Sequence, residues 1–121
     1  MPIITGLNAK QALELVKQTV EARGVSAWID TTKTFDLAQA RQSFDTSRML
    51  LSQPANHLQT GDVAEALVRS GQVEILVLDN RECAVSFKVL RNLEALSNQT
   101  PVVGGTFCDV ILLERYADLG E

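Results

Sequence analysis

The sequence predicts an α/β fold in which a mostly parallel sheet carries helices on both faces. Residues 75–78 form a continuous apolar run of β-favouring residues, which is typical of a strand covered on both sides. The stretch from Met49 to Asn80 has the order apolar run, polar turn, amphipathic segment and second apolar run, which indicates strand, helix, strand. We expect about five or six strands, and the last strand is the candidate for an antiparallel one.

The first quarter of the chain predicts a strand, a helix and a second strand. Pro2–Thr5 is a short apolar start, and Asn8 is placed to cap the helix that follows it. Gly24 is a suitable end for this helix. Its apolar face consists of Ala12, Leu13, Val16 and Val20. Val25–Asp30 is the next strand, and its central Trp28 is expected to be a core or interface residue.

The middle of the chain predicts a short helix over Leu37–Phe44, a strand over Met49–Ser52 and a further helix. Thr60, followed by Asp62 in the first turn, is a suitable start for that helix, because hydroxyl and carboxylate groups accept hydrogen bonds from its exposed amides. Gly71 closes it. Asp79 then lies at the carboxyl end of the apolar strand, the edge of a parallel sheet at which ligands bind.

The last third predicts one helix and two strands. The helix covers Arg81–Leu96, with apolar residues recurring at steps of three and four residues, namely Val85, Val89, Leu93 and Leu96. Pro101–Gly105 and Cys108–Leu113 are the two strands. The apolar residues Val85, Phe87 and Leu90 spread around the helix more widely than one buried stripe requires. We therefore expect this helix, or the Cys108–Leu113 edge strand, to join an interface.

Length and composition indicate one globular domain over residues 1–121, since 45% of the residues are apolar and 21% are charged. The formal net charge of −4 argues against a nucleic-acid-binding surface, which needs clustered basic residues. The sequence has no apolar run of membrane-spanning length and no signal-peptide pattern at its start, so we expect a cytoplasmic protein. Cys83 and Cys108 are expected to be free thiols, and His57 an exposed loop residue.

Several segments of the sequence resemble the core of the RecA recombinases. LLSQP, followed after a polar gap by EALVRSGQVEILVLDN, is similar to the strand, helix end and Walker B strand of that family. Upstream, AWIDTTKTFDLAQAR resembles the RecA stretch that begins with an apolar strand and an acid. The resemblance covers about residues 6–80 and implies a minimal core of the RecA type, within the P-loop NTPases.

The resemblance also shows where the nucleotide-site residues of the family would lie. Lys10 corresponds roughly to the phosphate-binding lysine, Asp36 to an acid near the nucleotide and Asp79 to the Walker B aspartate. We interpret these three residues as vestigial. The segment Gly6–Ala12 has only one glycine, and it lacks the second glycine and the hydroxyl residue that a phosphate loop needs. Thr32 takes the position of the catalytic glutamate, and Gln39 that of the tyrosine that stacks on adenine. We predict no catalytic residues, no cofactor and no metal site.

The two DNA-binding loops of RecA also lack counterparts of similar length, and the second shrinks to about GGTF. The resemblance therefore implies a RecA-like domain without a working ATPase, acting through protein contacts in DNA repair, recombination or the SOS response. RecA itself, a repair polymerase, a cell-division protein or a second copy of the chain are the candidate partners. The division inhibitor SulA and the mutagenesis-associated ImuA proteins, which look like RecA relatives without a working ATPase, are precedents.

Two alternatives remain open. One is a residual ATP-binding module that uses Lys10, Asp36 and Asp79. The other is an accessory protein for single-stranded DNA, which would need the basic residues to converge on one face. These residues are Arg41, Arg48, Arg69, Arg81, Lys88 and Arg91.

Overall fold

The structure is a computed structural model that describes residues 3–56, 59–79, 85–101 and 103–114. Four helices and four strands alternate along these residues, with one short 3-10 turn over Thr46–Arg48. In chain order they are α1 (Ala9–Glu21), β1 (Ser26–Asp30), α2 (Leu37–Ser43), β2 (Met49–Ser52), α3 (Thr60–Arg69), β3 (Ile75–Asp79), α4 (Phe87–Ser97) and β4 (Asp109–Leu113).

The strands form one parallel sheet in the order β2-β1-β3-β4. The predicted fold class is therefore confirmed, although the described residues contain four strands, not five or six, and no antiparallel strand. The expected first strand contributes only Ile4, which bridges Ile111 in parallel. Its amide donates to Val110 O at 2.9 Å, and its carbonyl accepts from Leu112 N at 2.9 Å. Ile4 thus covers part of the outer edge of β4.

Two apolar layers cover the two faces of the sheet. Alternate strand residues such as Ile29, Leu76 and Leu78 pack with α3 and α4, around Leu93. Their neighbours, including Val77, pack with α1 and α2 on the other face. Strands β1, β3 and β4 are buried along almost their whole length, because each of their two faces meets a helix layer.

The ends of three helices differ from the predictions. After α1, the left-handed residue is Arg23 (φ 67°), while the Gly24 amide donates to Thr19 O at 2.9 Å. Gln59 is the N-cap of α3, and the Thr60 hydroxyl is buried without a hydrogen-bond partner in the described residues. Ser86 caps α4 by accepting from the Val89 amide at 3.3 Å, so this helix begins six residues later than predicted. Residues 81–84 lie outside the described residues.

The prediction of a strand over Pro101–Gly105 is wrong. The residues of this segment that the structure describes do not form a strand. Gly104 has a φ of 81°, which an extended strand does not contain. Two residues later, the Thr106 amide donates to Gly71 O at 2.7 Å. This contact ties the segment to the end of α3, so its backbone does not join the sheet.

No helix within the described residues is long and apolar enough to cross a membrane.

Helices α3 and α4 approach closely at Gly61. A Cβ atom at Gly61 would lie 2.9 Å from Cγ2 of Val89, and the stiff side chain of valine cannot move away by rotation alone. We expect Gly61→Val to lower the free energy of unfolding by about 1–3 kcal/mol, measured by urea denaturation. Adding Val89→Ala should restore part of the loss, because it removes the clashing methyl groups.

The matched control for this overpacking is Ala66→Val, at an exposed position of the same helix. It should cost no more than the difference in helix propensity, about 0.5 kcal/mol. Equal losses for Gly61→Val and Ala66→Val would contradict close packing of α3 on α4.

The expected free thiol is confirmed for Cys108, which is buried, whereas Cys83 lies outside the described residues. Burial raises the pKa of the Cys108 thiol from 9.0 to about 12, with a further contribution from the charge of Asp109. In a Cys83→Ser background, we expect Cys108 to react with a thiol reagent at pH 8 about a thousandfold more slowly than an unfolded thiol. Denaturant should abolish the difference, and rapid labelling of the folded protein would contradict the burial of Cys108.

Candidate functional site

The carboxyl ends of β1 and β3 bring two aspartates together. Asp30 and Asp79 are Cα partners in the parallel register, and neither side chain is exposed to solvent. Both border the face of the sheet that α1 and α2 cover. This is the sheet edge at which parallel α/β proteins bind ligands, so the site begins with two buried carboxyl groups.

A pocket of about 510 Å³ lies above these aspartates, between α1 and α2. Its size is within the range of small-molecule sites, and we call it the α1–α2 pocket. All three residues that the sequence analysis assigned to a vestigial nucleotide site, Lys10, Asp36 and Asp79, line it, as does Gln39. Residues that are distant in sequence therefore share one site, as the resemblance implied.

The apolar wall of the α1–α2 pocket is partly aromatic. The rings of Trp28 and Phe35 pack with their centroids 4.9 Å apart and their planes at 57°, and Phe44 and Leu13 line the same pocket. Trp28 is 3% exposed, as expected of a core residue. Its indole N–H nevertheless has no hydrogen-bond partner among the described residues, which is unusual for a buried tryptophan.

Asp30 is held by neutral hydrogen-bond donors. Its Oδ2 accepts from the Phe35 amide at 2.9 Å and from Gln53 Nε2 at 3.0 Å, and its Oδ1 accepts from the Thr32 hydroxyl at 2.8 Å. Desolvation by burial raises the pKa of Asp30, but these bonds, with the Thr34 amide, outweigh it and hold the pKa below the ordinary 3.8. Asp30 is therefore a carboxylate at neutral pH.

The first turn of α1 is closed by its own side chains. Asn8 Oδ1 accepts from the Gln11 amide at 2.7 Å, and Gln11 Oε1 accepts from the Asn8 amide at 3.0 Å. This reciprocal capping box confirms the predicted cap at Asn8. The turn before it contains Gly6, with a φ of 84°. The helix end that would meet phosphate in a P-loop protein thus has two of its amides occupied.

Asp36 and Thr32 also have local roles. Asp36 caps α2, because its Oδ1 accepts from the Gln39 amide at 2.9 Å. Thr32, which the sequence resemblance matches to the catalytic glutamate of the family, donates its hydroxyl to Asp30. Asp30, Trp28 and Phe35 also line the pocket but were not predicted as site residues. The position of Asp30 at the end of a buried strand, like that of Asp79, was the signal that could have found it.

The family follows from the match between this chain and a family model. The model of the RecA N-terminal domain matches residues 5–92, which include α1, the α1–α2 pocket and the β3 strand that ends in Asp79. The chain belongs to the RecA N-terminal domain family. The RecA resemblance of the sequence is thereby confirmed.

Individual RecA proteins match a smaller part of the chain. It is 36% identical to Protein RecA of Cytophaga hutchinsonii over 70 residues, which are 57% of this chain and 20% of that protein. It is 37% identical to Protein RecA of Syntrophus aciditrophicus over 77 residues, which are 63% and 22%. The chain thus spans about a fifth of the length of the RecA proteins it matches.

The fold also has a similar solved structure, SulA from Pseudomonas aeruginosa. The two superpose with a TM-score of 0.64 over 86% of this chain and 85% of SulA, at 14% sequence identity. At this identity the likeness concerns the fold alone. This fold is the α/β core that was predicted from the sequence.

The described basic residues of the DNA-accessory alternative lie on both faces of the sheet, with Arg69 on α3. Arg41 lies on α2, whereas Lys88 and Arg91 lie on α4, across the sheet. Arg48 bonds the Arg23 carbonyl at 3.2 Å. His57 and Arg81 lie outside the described residues. Within the described ranges, no three His, Cys, Asp or Glu side chains are grouped as a metal site would require.

The low pKa of Asp30 predicts a pH-dependent contribution to stability. A folded-state pKa below that of the unfolded chain stabilises the fold fully above the unfolded value of 3.8, and this contribution is lost as the pH falls through the folded-state pKa. At pH 7, Asp30→Asn should lower the free energy of unfolding by about 1.5–3 kcal/mol. Its difference from the unmodified protein should narrow below pH 3.8.

The measurement is urea denaturation over a pH series, with Asp62→Asn on the exposed start of α3 as the control. A constant difference between Asp30→Asn and the unmodified protein at all pH values would contradict the assignment.

Proposed function

We propose that this member of the RecA family is a protein-interaction or regulatory factor, without a working ATPase, that acts in DNA repair, recombination or the SOS response. The observation that carries the proposal is the capping box at the start of α1. There the Asn8 and Gln11 side chains bond the backbone amides, at the place where a P-loop binds phosphate with such groups.

The phosphate contact is weakened further by the loop itself. A phosphate nest needs successive amides aimed at one point, which glycines permit. Between Ile4 and α1 the chain has one glycine, Gly6. Lys10 lines the pocket, but an exposed lysine without the nest supplies a single point charge.

The proposed factor also lacks a general base for ATP hydrolysis. A carboxylate that orients the attacking water is a recurring requirement of phosphoryl transfer. Thr32 takes that position in the RecA resemblance, and its hydroxyl donates to Asp30. A hydroxyl with this partner has no basic function near neutral pH.

The proposal also excludes DNA binding of the RecA type. Residues 80–86 connect β3 to α4, and residues 98–108 connect α4 to β4. Both connections are short for mobile DNA-gripping loops, and the net charge of −4 disfavours phosphate contacts. We therefore propose that the protein functions by binding other proteins. The likeness to the fold of SulA is consistent with this proposal. We also propose a cytoplasmic location for this factor.

A residual ATP-binding function is the second candidate. The observation in its favour is that Lys10, Asp36 and Asp79 line one pocket of about 510 Å³. In that function the ligand would have to displace the side chains that cap α1, at a cost in affinity.

Thermal unfolding with and without Mg-ATP separates the two candidates. The proposed factor should show no shift at millimolar nucleotide and no phosphate release. A ligand at 100 times its Kd would instead add about 2.7 kcal/mol of stability. A shift that Asp79→Asn removes would replace our proposal by the ATP-binding function, whereas a shift that Asp79→Asn retains would indicate binding elsewhere.

The interface expected at α4 can be tested through Phe87, whose side chain is 81% exposed. Binding of the purified chain to RecA, to a repair polymerase and to a cell-division protein would be measured by interferometry. We expect Phe87→Ser to weaken the productive interaction at least about tenfold, as interface aromatics do, without loss of stability. The control is Leu50→Ser on the opposite edge strand, where the leucine is 50% exposed. Equal effects of both variants would argue against α4.

A further inference from the structure

The charges of α4 are arranged against its helix dipole. Its first turn contains Lys88 and no acidic residue, Arg91 follows directly, and no basic residue lies in its last turn. Cations near the amino end of a helix meet the positive pole of its dipole, which is unfavourable. Helix α3 has the favourable order instead, with Asp62 in its first turn and Arg69 in its last. The cations of α4 therefore do not stabilise their own helix.

These two cations are also unpaired in the part of the chain that the structure describes. Lys88 and Arg91 are exposed, and neither forms an ion pair within the described residues. The carboxylate of Glu65 on the neighbouring helix α3 has a neutral partner, since its Oε1 accepts from Asn92 Nδ2 at 3.0 Å. Residues three apart on a helix are neighbours on its surface, so Lys88 and Arg91 present two adjacent positive charges to solvent.

An exposed aromatic ring adjoins the cations. The side chain of Phe87 is 81% exposed, and it lies one turn before Arg91, on the same side of α4. The other side of the helix is the packed one, with Leu93 buried in the core. We call the outward surface of Phe87, Lys88 and Arg91 the α4 face. It combines an apolar anchor with two positive charges.

Charge complementarity selects the partner that fits the α4 face. Anionic groups opposite Lys88 and Arg91 would relieve their mutual repulsion and their unfavourable interaction with the helix dipole. Glu94, three residues beyond Arg91, and the net charge of −4 would repel a continuous line of phosphates. A peptide segment with a few carboxylates avoids this repulsion, and its apolar side chains can cover Phe87, as is typical of aromatic anchors in interfaces.

We propose that the α4 face binds an acidic segment of a partner protein. In this contact, carboxylates of the partner pair with Lys88 and Arg91, and an apolar side chain of the partner covers Phe87. This chemistry of the partner rests on the proposed protein-interaction function. The charge order of α4 then has a role, because its unfavourable interaction with the helix dipole is relieved when an anionic partner binds.

The experiment measures binding of the full chain to a fluorescein-labelled peptide in which aspartate and leucine residues alternate, by fluorescence anisotropy at low salt. We expect saturable binding that weakens as salt is raised, because the cations are exposed to solvent. The same peptide with asparagine in place of aspartate should bind at least about tenfold more weakly. Serine in place of leucine should weaken binding about threefold or more.

Charge reversals locate the contact. Lys88→Glu and Arg91→Glu should each weaken binding of the peptide at least about tenfold, and Phe87→Ser should weaken it about threefold or more. Arg41→Glu is the matched control, at an exposed position of α2 on the opposite face of the sheet. It should change binding less than about twofold.

Thermal stability separates the binding role of Lys88 from a structural one. Lys88→Glu places an acid in the first turn of α4, so its melting temperature at low salt should equal or exceed that of the unmodified protein while its binding is lost. A lower melting temperature would overturn the assignment of Lys88 as a cation that opposes its own helix.

Three results would overturn the proposal: no binding of the aspartate peptide, equal binding of the asparagine peptide, or equal effects of Arg91→Glu and Arg41→Glu. Tighter binding of a labelled single-stranded oligonucleotide than of the peptide would replace the acidic protein segment by nucleic acid.

The outcome is separate from that of the proposed function. A protein partner whose binding is unchanged by Lys88→Glu and Arg91→Glu would keep the proposed function and overturn the α4 face. Binding of the peptide without binding of any protein partner would support the α4 face and count against the proposed function.

Discussion

The parallel pairing of β1 with β3 is the constraint on which the site depends. This register places Asp30 beside Asp79 at the carboxyl edge of the sheet, and the helix layer of α1 and α2 excludes solvent from both side chains. A buried carboxylate is stable only if hydrogen bonds replace its hydration. For Asp30, the loop after β1 and the residue after β2 supply them, through Phe35, Thr32 and Gln53.

This arrangement is consistent with the proposed loss of ATPase chemistry from a RecA-type core. In P-loop proteins, the acids at the strand ends act on a metal that the bound phosphates also hold. Here the local side chains take over the groups that such a ligand would use. Asn8 and Gln11 close the first turn of α1, Asp36 caps α2, and Thr32 bonds Asp30. Each of these contacts stabilises the fold, so the residues have a structural function.

The two faces of the sheet have different characters. On the α3–α4 face, contacts such as that of Gly61 with Val89 leave little space between the helices. On the α1–α2 face, a pocket of about 510 Å³ remains between the helices. A tightly packed face supports the sheet, whereas the open face with its aromatic wall and buried charge is the one suited to a ligand.

The sequence by itself determined the α/β class, the parallel sheet and the position of most elements, because these depend on local periodicity and on capping residues such as Asn8. It also determined the family, and it pointed to Lys10, Asp36 and Asp79, which line one pocket. Tertiary structure decided the rest. The segment after Pro101 has the sequence pattern of a strand, but the Thr106 amide donates a hydrogen bond to the Gly71 carbonyl. A backbone partner outside the sheet overrides the local propensity. Likewise, Asp30 and Trp28 became site residues only when strand pairing and helix packing enclosed them, since burial and through-space charge are not local properties of the sequence.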